Sequence, residues 1–197
     1  MENKRLTKYF FNRPTLRVAK ELLGKFLVRK IGQRIIRVMI TETEAYCGPN
    51  DLASHASKGR TKRTEIMFGP SGFAYVYLIY GMYHCLNVVT EADGYPAAIL
   101  IRGVSLQWPV DRENSKFRKL KTVNCKLETN LNGPGKLCRF LKIERTLNGE
   151  DIVKSKRLWI EDGIRLKPAQ VGRSKRIGVD YAESYKNKLW RFFIKPT

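Results

Sequence analysis

The stretch FLVRKIGQRIIRVMITETEAY, residues 26–46, decides the fold class. Two β-branched runs, 26–31 and 34–46, flank Gly32-Gln33, the pattern of a hairpin with a long second strand. At the strand period of two, Ile36, Val38, Ile40, Glu42, Glu44 and Tyr46 share one face. The expectation is that both carboxylates point the way the aliphatic residues do. Buried carboxylates are uncommon, so such a face marks either a solvated edge or a working site.

Working outward, residues 47–72 form a polar connection rich in Gly and Pro, of a length that compact domains seldom carry without a functional reason. It is a candidate binding loop, and it holds His55 and the basic cluster Arg60, Lys62 and Arg63, whose natural use is contact with phosphate. FAYVYLIYGMYHCLNVVTE (73–91) reads as two strands about a turn at Gly81, and PAAILIRGV (96–104) as another. LWIEDGIRL and LWRFFI are expected to close the sheet. Upstream, Asn12-Arg13-Pro14 and Gly24 bracket a helix with Pro14 at its first position. NGPGKLCRFLKI (132–143) reads as a glycine-rich turn opening a short helix, with Lys136 as a phosphate contact. The fold class expected is α+β: one mixed domain over residues 1–197, with a curved, mostly antiparallel sheet flanked by helices.

Composition narrows the partners. The chain has 197 residues, with 38 lysines and arginines against 18 aspartates and glutamates, a net charge of +20. The excess is spread along the chain, including Arg112, Lys116, Arg118, Lys119 and Lys121, and a folded domain this basic points to nucleic acid. No apolar run approaches the roughly 18 residues of a membrane span. MENKRLTKYF lacks the apolar segment of a secretory signal, so residence in the cytoplasm, at the nucleoid in a bacterium, is expected. Cys47, Cys85, Cys125 and Cys138 are widely spaced with only two histidines beside them, which argues against a zinc cluster and for free thiols. No heptad is present, and a monomer is expected.

Two chemistries remain open for the carboxylates. A partly desolvated Glu42 or Glu44 has its pKa raised towards the working range of a general base. Together with Asp51 the two could instead hold a divalent metal, as in a nuclease. The tyrosines sharpen the choice: Tyr75 and Tyr77 share a face with Phe73 and Ile79, whereas Tyr80 arrives on the opposite phase at the tip of the turn, placed to protrude. In a basic protein, such aromatics suit base stacking or wedging into a duplex.

Thr43-Glu44-Ala45-Tyr46 with Gly48-Pro49 and His55, the run from Tyr75 to Asn87 (YVYLIYGMYHCLN), Leu100-Ile101-Arg102, and Gly133-Pro134-Gly135-Lys136-Leu137-Cys138 occur in order and with matching spacing. Together they closely resemble the alkyladenine (3-methyladenine) DNA glycosylase family over roughly residues 10 to 195. The resemblance implies a DNA repair enzyme that flips alkylated or deaminated purines out of double-stranded DNA and hydrolyses the N-glycosidic bond, without strand scission and without a cofactor or metal. Glu44 is then implied to activate the water, with Arg102 supporting it and Glu42 supporting the fold. Tyr46, His55, Tyr77, Asn87 and Leu100 are implied to line the base pocket, with Asn87 crowding the amino group of guanine. Tyr80 is implied as the wedge, with Met82, Tyr83, Arg60, Arg63 and Lys136 on the DNA. QVGRSKRIGVDYAES (170–184) does not align readily with the family. The rival readings are a metal-dependent nuclease and a non-catalytic RNA- or ribosome-binding protein.

Overall fold

The computed structural model describes residues 4–106 and 130–196. The basic stretch from Arg112 to Lys121, and Cys125, lie outside them. The expected hairpin is present: β1 (Phe26–Ile31) and β2 (Arg34–Cys47) pair antiparallel from Ile31↔Arg34 to Phe26↔Met39, turning at Gly32 with φ +57°. At 14 residues β2 is long enough to organise the sheet. It pairs with β1 through its first half, with β9 (Arg191–Ile194) through Glu42–Glu44, and with β5 (Ala97–Ser105) from Met39 to Cys47.

The remaining strands extend this frame. β3 (Ala74–Ile79) and β4 (Tyr83–Val89) form the second expected hairpin, and β7 (Leu158–Glu161) lies at the far edge, giving the path β3-β4-β5-β2-β1-β7. β6 (Asn130–Asn132) adds to β5, and β8 (Val171–Ser174) to β9. Every pairing between these nine strands is antiparallel. The mixed architecture with an antiparallel sheet is therefore as expected; β6 (NLN) and β8 (VGRS) were not legible, being short and lacking the aromatic and β-branched composition that marks β7 and β9.

Among the described residues three α-helices accompany the sheet: α1 (Lys8–Phe11), α2 (Thr15–Glu21) and α3 (Pro134–Phe140). Pro14 is the N-cap of α2 and not its first residue, since ψ of 125° holds it outside the helix. The first helical amide, Thr15 N, is met by Glu91, whose Oε1 accepts from it at 3.0 Å and from Thr15 Oγ1 at 2.6 Å. Val18 and Ala19 of α2 with its C-cap Leu22, and Leu137 and Cys138 of α3 with its C-cap Leu141, pack on one face of the sheet, against Val38, Ile40, Ala45, Ile99, Ile101 and Val104. That leaves the opposite face to be covered by residues 48–72 and by the C-terminal segment after β8.

The face assignment of β2 differs from the period-two expectation. Val38, Ile40 and Ala45 all lie in the main core, yet Ile40 and Ala45 are five residues apart and a regular strand would send them to opposite faces. The cause is a β-bulge: the register with β5 shifts between Ile40 and Glu42 and again between Glu42 and Thr43, where Arg102 is passed over on the facing strand. Beyond it Thr43 faces the helices, donating to the Ala19 carbonyl at 2.9 Å, while Glu44 and Tyr46 turn to the other face. The carboxylates thus lie opposite the aliphatic residues and not beside them. Gly103 permits this, because a Cβ there would sit 3.0 Å from Glu42 Cβ and 3.1 Å from Thr41 Oγ1.

Among the described residues, no helix is long and apolar enough to cross a membrane. Cys47, Cys85 and Cys138 carry free thiols, the last two buried.

Candidate active site

The face that the bulge gives to Glu44 and Tyr46 opens into a cavity of about 460 Å³. Alternation builds its walls: Tyr75 and Tyr77 from β3, Cys85 and Asn87 from β4, Ala98, Leu100 and Arg102 from β5, and Tyr46 from β2. His55 enters from the connection between β2 and β3, which is not structureless but contains 3₁₀ turns at His55–Lys58 and Glu65–Phe68. Ile177, Gly178, Val179 and Tyr181 complete the cavity from the C-terminal segment.

The aromatic groups form a slot. The His55 and Tyr77 rings meet edge to face at 4.6 Å, and Tyr75 and Tyr77 lie 5.3 Å apart. His55 Nδ1 and the Tyr75 hydroxyl are hydrogen-bonded at 3.0 Å. Burial, with the positive charges of Arg63 and Lys58, pulls the His55 pKa down to about 4, so the imidazole is neutral at pH 7. Asn87 spends its amide donor on the Tyr75 carbonyl at 3.2 Å, which fixes the side chain against the wall.

Glu44 sits behind the slot at 0% exposure. Its Oε2 accepts from the Tyr46 hydroxyl at 2.9 Å and its Oε1 from the Ile177 amide at 2.8 Å, with Arg102 Nε 3.5 Å from Oε1. Burial raises its pKa, against the opposing pull of Arg102, the Ile177 amide and the Tyr46 hydroxyl. Arg102 makes its shorter contact with Glu42, at 2.9 Å, and Arg191 approaches the same Glu42 oxygen at 2.6 Å. Glu42 is thus held between two guanidinium groups, which also fixes the Arg102 head beside Glu44.

Asp51 is equally committed, to the fully buried Arg176: Nη1 to Oδ2 at 2.5 Å and Nη2 to Oδ1 at 2.8 Å. Each of the three carboxylates that the sequence offered for a metal is therefore matched with arginine. Among the described residues no cluster of three metal-ligating side chains occurs.

The hairpin tip behaves as its phase suggested. Tyr80 is 82% exposed and Met82 65%, beside the half-exposed Tyr83, which packs on Gly135 at the start of α3. Tyr80 and Gly81 have φ of +52° and +70°, so a bulky residue occupies a backbone region it disfavours. Of the basic residues singled out, Arg63 lies 5.2 Å over the Tyr77 ring, Arg60 forks onto Glu65 at 2.6 and 3.0 Å, and Lys136 is exposed on α3. Sequence reasoning missed Arg176, Arg191, Ile177 and Tyr181. All four lie in or just after the segment that resists alignment, and nothing in a single sequence ties them to Glu44.

The family model described as methylpurine-DNA glycosylase matches residues 9–197. A protein of Methanocella arvoryzae named "Putative 3-methyladenine DNA glycosylase" is 50% identical over 190 residues, covering 96% of this chain and 92% of that protein. Proteins of the same name from Clostridium perfringens and Legionella pneumophila are 45% and 42% identical, covering 97% and 98% of this chain and 96% and 95% of their own lengths. A match of this extent, on a chain whose buried glutamate stands behind an aromatic slot, means that the protein belongs to the methylpurine-DNA glycosylase family.

Proposed function

We propose that this protein is a monofunctional DNA glycosylase that flips alkylated or deaminated purines from duplex DNA into the slot and hydrolyses the N-glycosidic bond, leaving an abasic site. The observation that carries this reading is Glu44, a buried carboxylate of raised pKa directly behind the slot. Among the described residues, Oε2 accepts one hydrogen bond, from Tyr46, and Oε1 one, from the Ile177 amide, with Arg102 Nε at 3.5 Å, which leaves lone-pair capacity for a water. In the proposed step, Glu44 takes a proton from a water whose oxygen bonds to the sugar C1′. The C1′–N bond breaks, and its electron pair leaves with the base. Arg102 favours the ionised form of the carboxylate against the effect of burial and helps hold it in place.

Binding follows from the same residues. Extruding a base costs a few kcal/mol, less for a damaged pair, and stacking against Tyr46 and Tyr77 at about 1–3 kcal/mol per ring offsets it. Cationic alkylated purines gain further from the electron-rich faces, with neutral His55 adding no repelling charge. Tyr80, with Met82 and Tyr83 beside it, fills the gap in the stack, while Asn87 and Leu100 shape the pocket against normal guanine. Arg60, Arg63 and Lys136 serve the DNA backbone.

The test is incubation with a duplex carrying hypoxanthine or ethenoadenine, with chelator present, followed by alkali. Glu44→Gln is expected to keep lesion binding and lose base release by roughly 10²–10⁴-fold, the usual contribution of a general base. Cleavage that requires added metal would favour a nuclease, and tight binding without product a non-catalytic nucleic-acid-binding protein. Full single-turnover release by the Gln variant would remove Glu44 from the mechanism.

A further inference from the structure

We infer that Arg176, locked by Asp51, is the positioning residue that sets Glu44 for water activation, acting through the Ile177 amide and the Tyr46 ring. The inference rests on the glycosylase reading of the site. Three parts of the chain that are remote in sequence meet at this one guanidinium. Nη1 donates to the Ala45 carbonyl at 2.9 Å, between Glu44 and Tyr46 on β2. Nη2 donates to the Tyr185 carbonyl at 3.3 Å, fixing the C-terminal segment from both ends. Asp51, the other half of the pair, accepts from the Cys47 amide at 3.0 Å and the Ala53 amide at 3.1 Å, which anchors the connection that delivers His55.

The guanidinium also lies 4.8 Å from the Tyr46 ring and 5.0 Å from Trp190. Tyr46, which lines the cavity, therefore packs on a fixed group that does not, while its hydroxyl holds Glu44 Oε2. The next residue, Ile177, gives its amide to Glu44 Oε1, so displacement of Arg176 moves a donor of the carboxylate directly.

The energetics argue for placement over stability. Both side chains of the pair are at 0% exposure, and Arg176 Nε is buried with no hydrogen-bond partner among the described residues. Buried ion pairs commonly stabilise no better than apolar residues of the same shape, and a buried unpartnered N–H is a further penalty. What the fork supplies that an apolar side chain cannot is four directed hydrogen bonds, two to Asp51 and two to carbonyls, that hold β2, the His55 connection and the Ile177 segment in one geometry.

The test compares wild type, Arg176→Lys, which keeps the charge and loses the fork, and the double variant Arg176→Met/Asp51→Asn, which removes both charges. Single-turnover release of hypoxanthine from duplex is followed against pH, alongside Tm and lesion affinity. The groups facing Glu44 are Glu42 and Tyr46 on β2, Arg102 on β5, Cys85 on β4, Arg191 on β9 and the Ile177 amide. Of these, only the amide and Tyr46 are held by Arg176. Loss of a donor to the carboxylate raises its pKa, so the acidic limb of the profile is expected to move up by about one pH unit in both variants, a roughly tenfold slower release at any pH below it. Well above the limb, release should return towards the wild-type rate, with lesion affinity within about threefold.

A limb that stays in place, or a loss equal at every pH that follows Tm, would overturn the inference and leave the pair as a structural element. Failure of both variants to fold would do the same. Wild-type release and its loss in Glu44→Gln report separately on the glycosylase reading, so the two can fail independently.

Discussion

His55 shows how one side chain links site and stability. Its pKa of about 4 in the folded protein, against 6.5 in the unfolded chain, means that between those values the unfolded chain binds a proton that the folded one refuses. Its contribution to stability is complete above pH 6.5, declines as the pH falls through that window, and is exhausted once the folded protein also protonates near 4. His55→Gln is expected to flatten this part of the dependence. Urea melts at about pH 7 and pH 4.5 should show a smaller drop in Cm for the variant than for wild type. An equal drop would mean that carboxylates carry the whole effect. Neutral His55 was not legible from the sequence, since its state depends on Arg63, Lys58 and burial.

Two elements carry geometry that their sequences only half disclose. The β3–β4 hairpin was readable from aromatic alternation and Gly81, and so was the protrusion of Tyr80; its positive φ was not. That conformation costs an L residue about 1–2 kcal/mol relative to glycine, while an exposed side chain contributes little packing. Tyr80→Gly is therefore expected to leave Tm unchanged or raised. Excision from duplex should fall, with a smaller loss on a lesion in single-stranded DNA, where no gap needs filling. Equal loss on both substrates would contradict the wedge role. The β2–β5 bulge is the other element. Gly103→Val places a branched side chain where the first carbon alone meets Glu42 and Thr41 at about 3 Å. It is expected to destabilise by about 1–3 kcal/mol and to slow base release by parting Arg102 from Glu42. Wild-type stability and rate in the variant would show that the bulge relaxes without consequence.

At the scale of the whole molecule, charge and shape act together. Lysines and arginines outnumber acidic residues by 20 across the entire chain, while the acidic residues of the site are matched one by one with Arg102, Arg191 and Arg176. An excess of this size favours contact with phosphate. Affinity for undamaged duplex should be weak and fall with salt, log K against log [salt] having a slope of about −0.9 per phosphate contacted. A flat plot would dissociate the charge from DNA binding.

The sequence by itself determined β1 to β5, β7 and β9, since a period of two and β-branched composition are local properties. It determined the basic charge and, through ordered motifs, singled out Glu44, Tyr46, His55, Tyr77, Tyr80, Asn87 and Arg102 as candidates. It led to the wrong face for Glu44, because one inserted residue in a strand inverts every side chain beyond it and leaves composition unchanged. Only the tertiary structure decided that face, through the pairing of β2 with β5 at Gly103. Only it brought Arg176 to Asp51 across 125 positions and the Ile177 amide to Glu44 across 133. Contacts at that separation leave no periodic trace in a chain, since they are fixed by how the sheet closes around its slot.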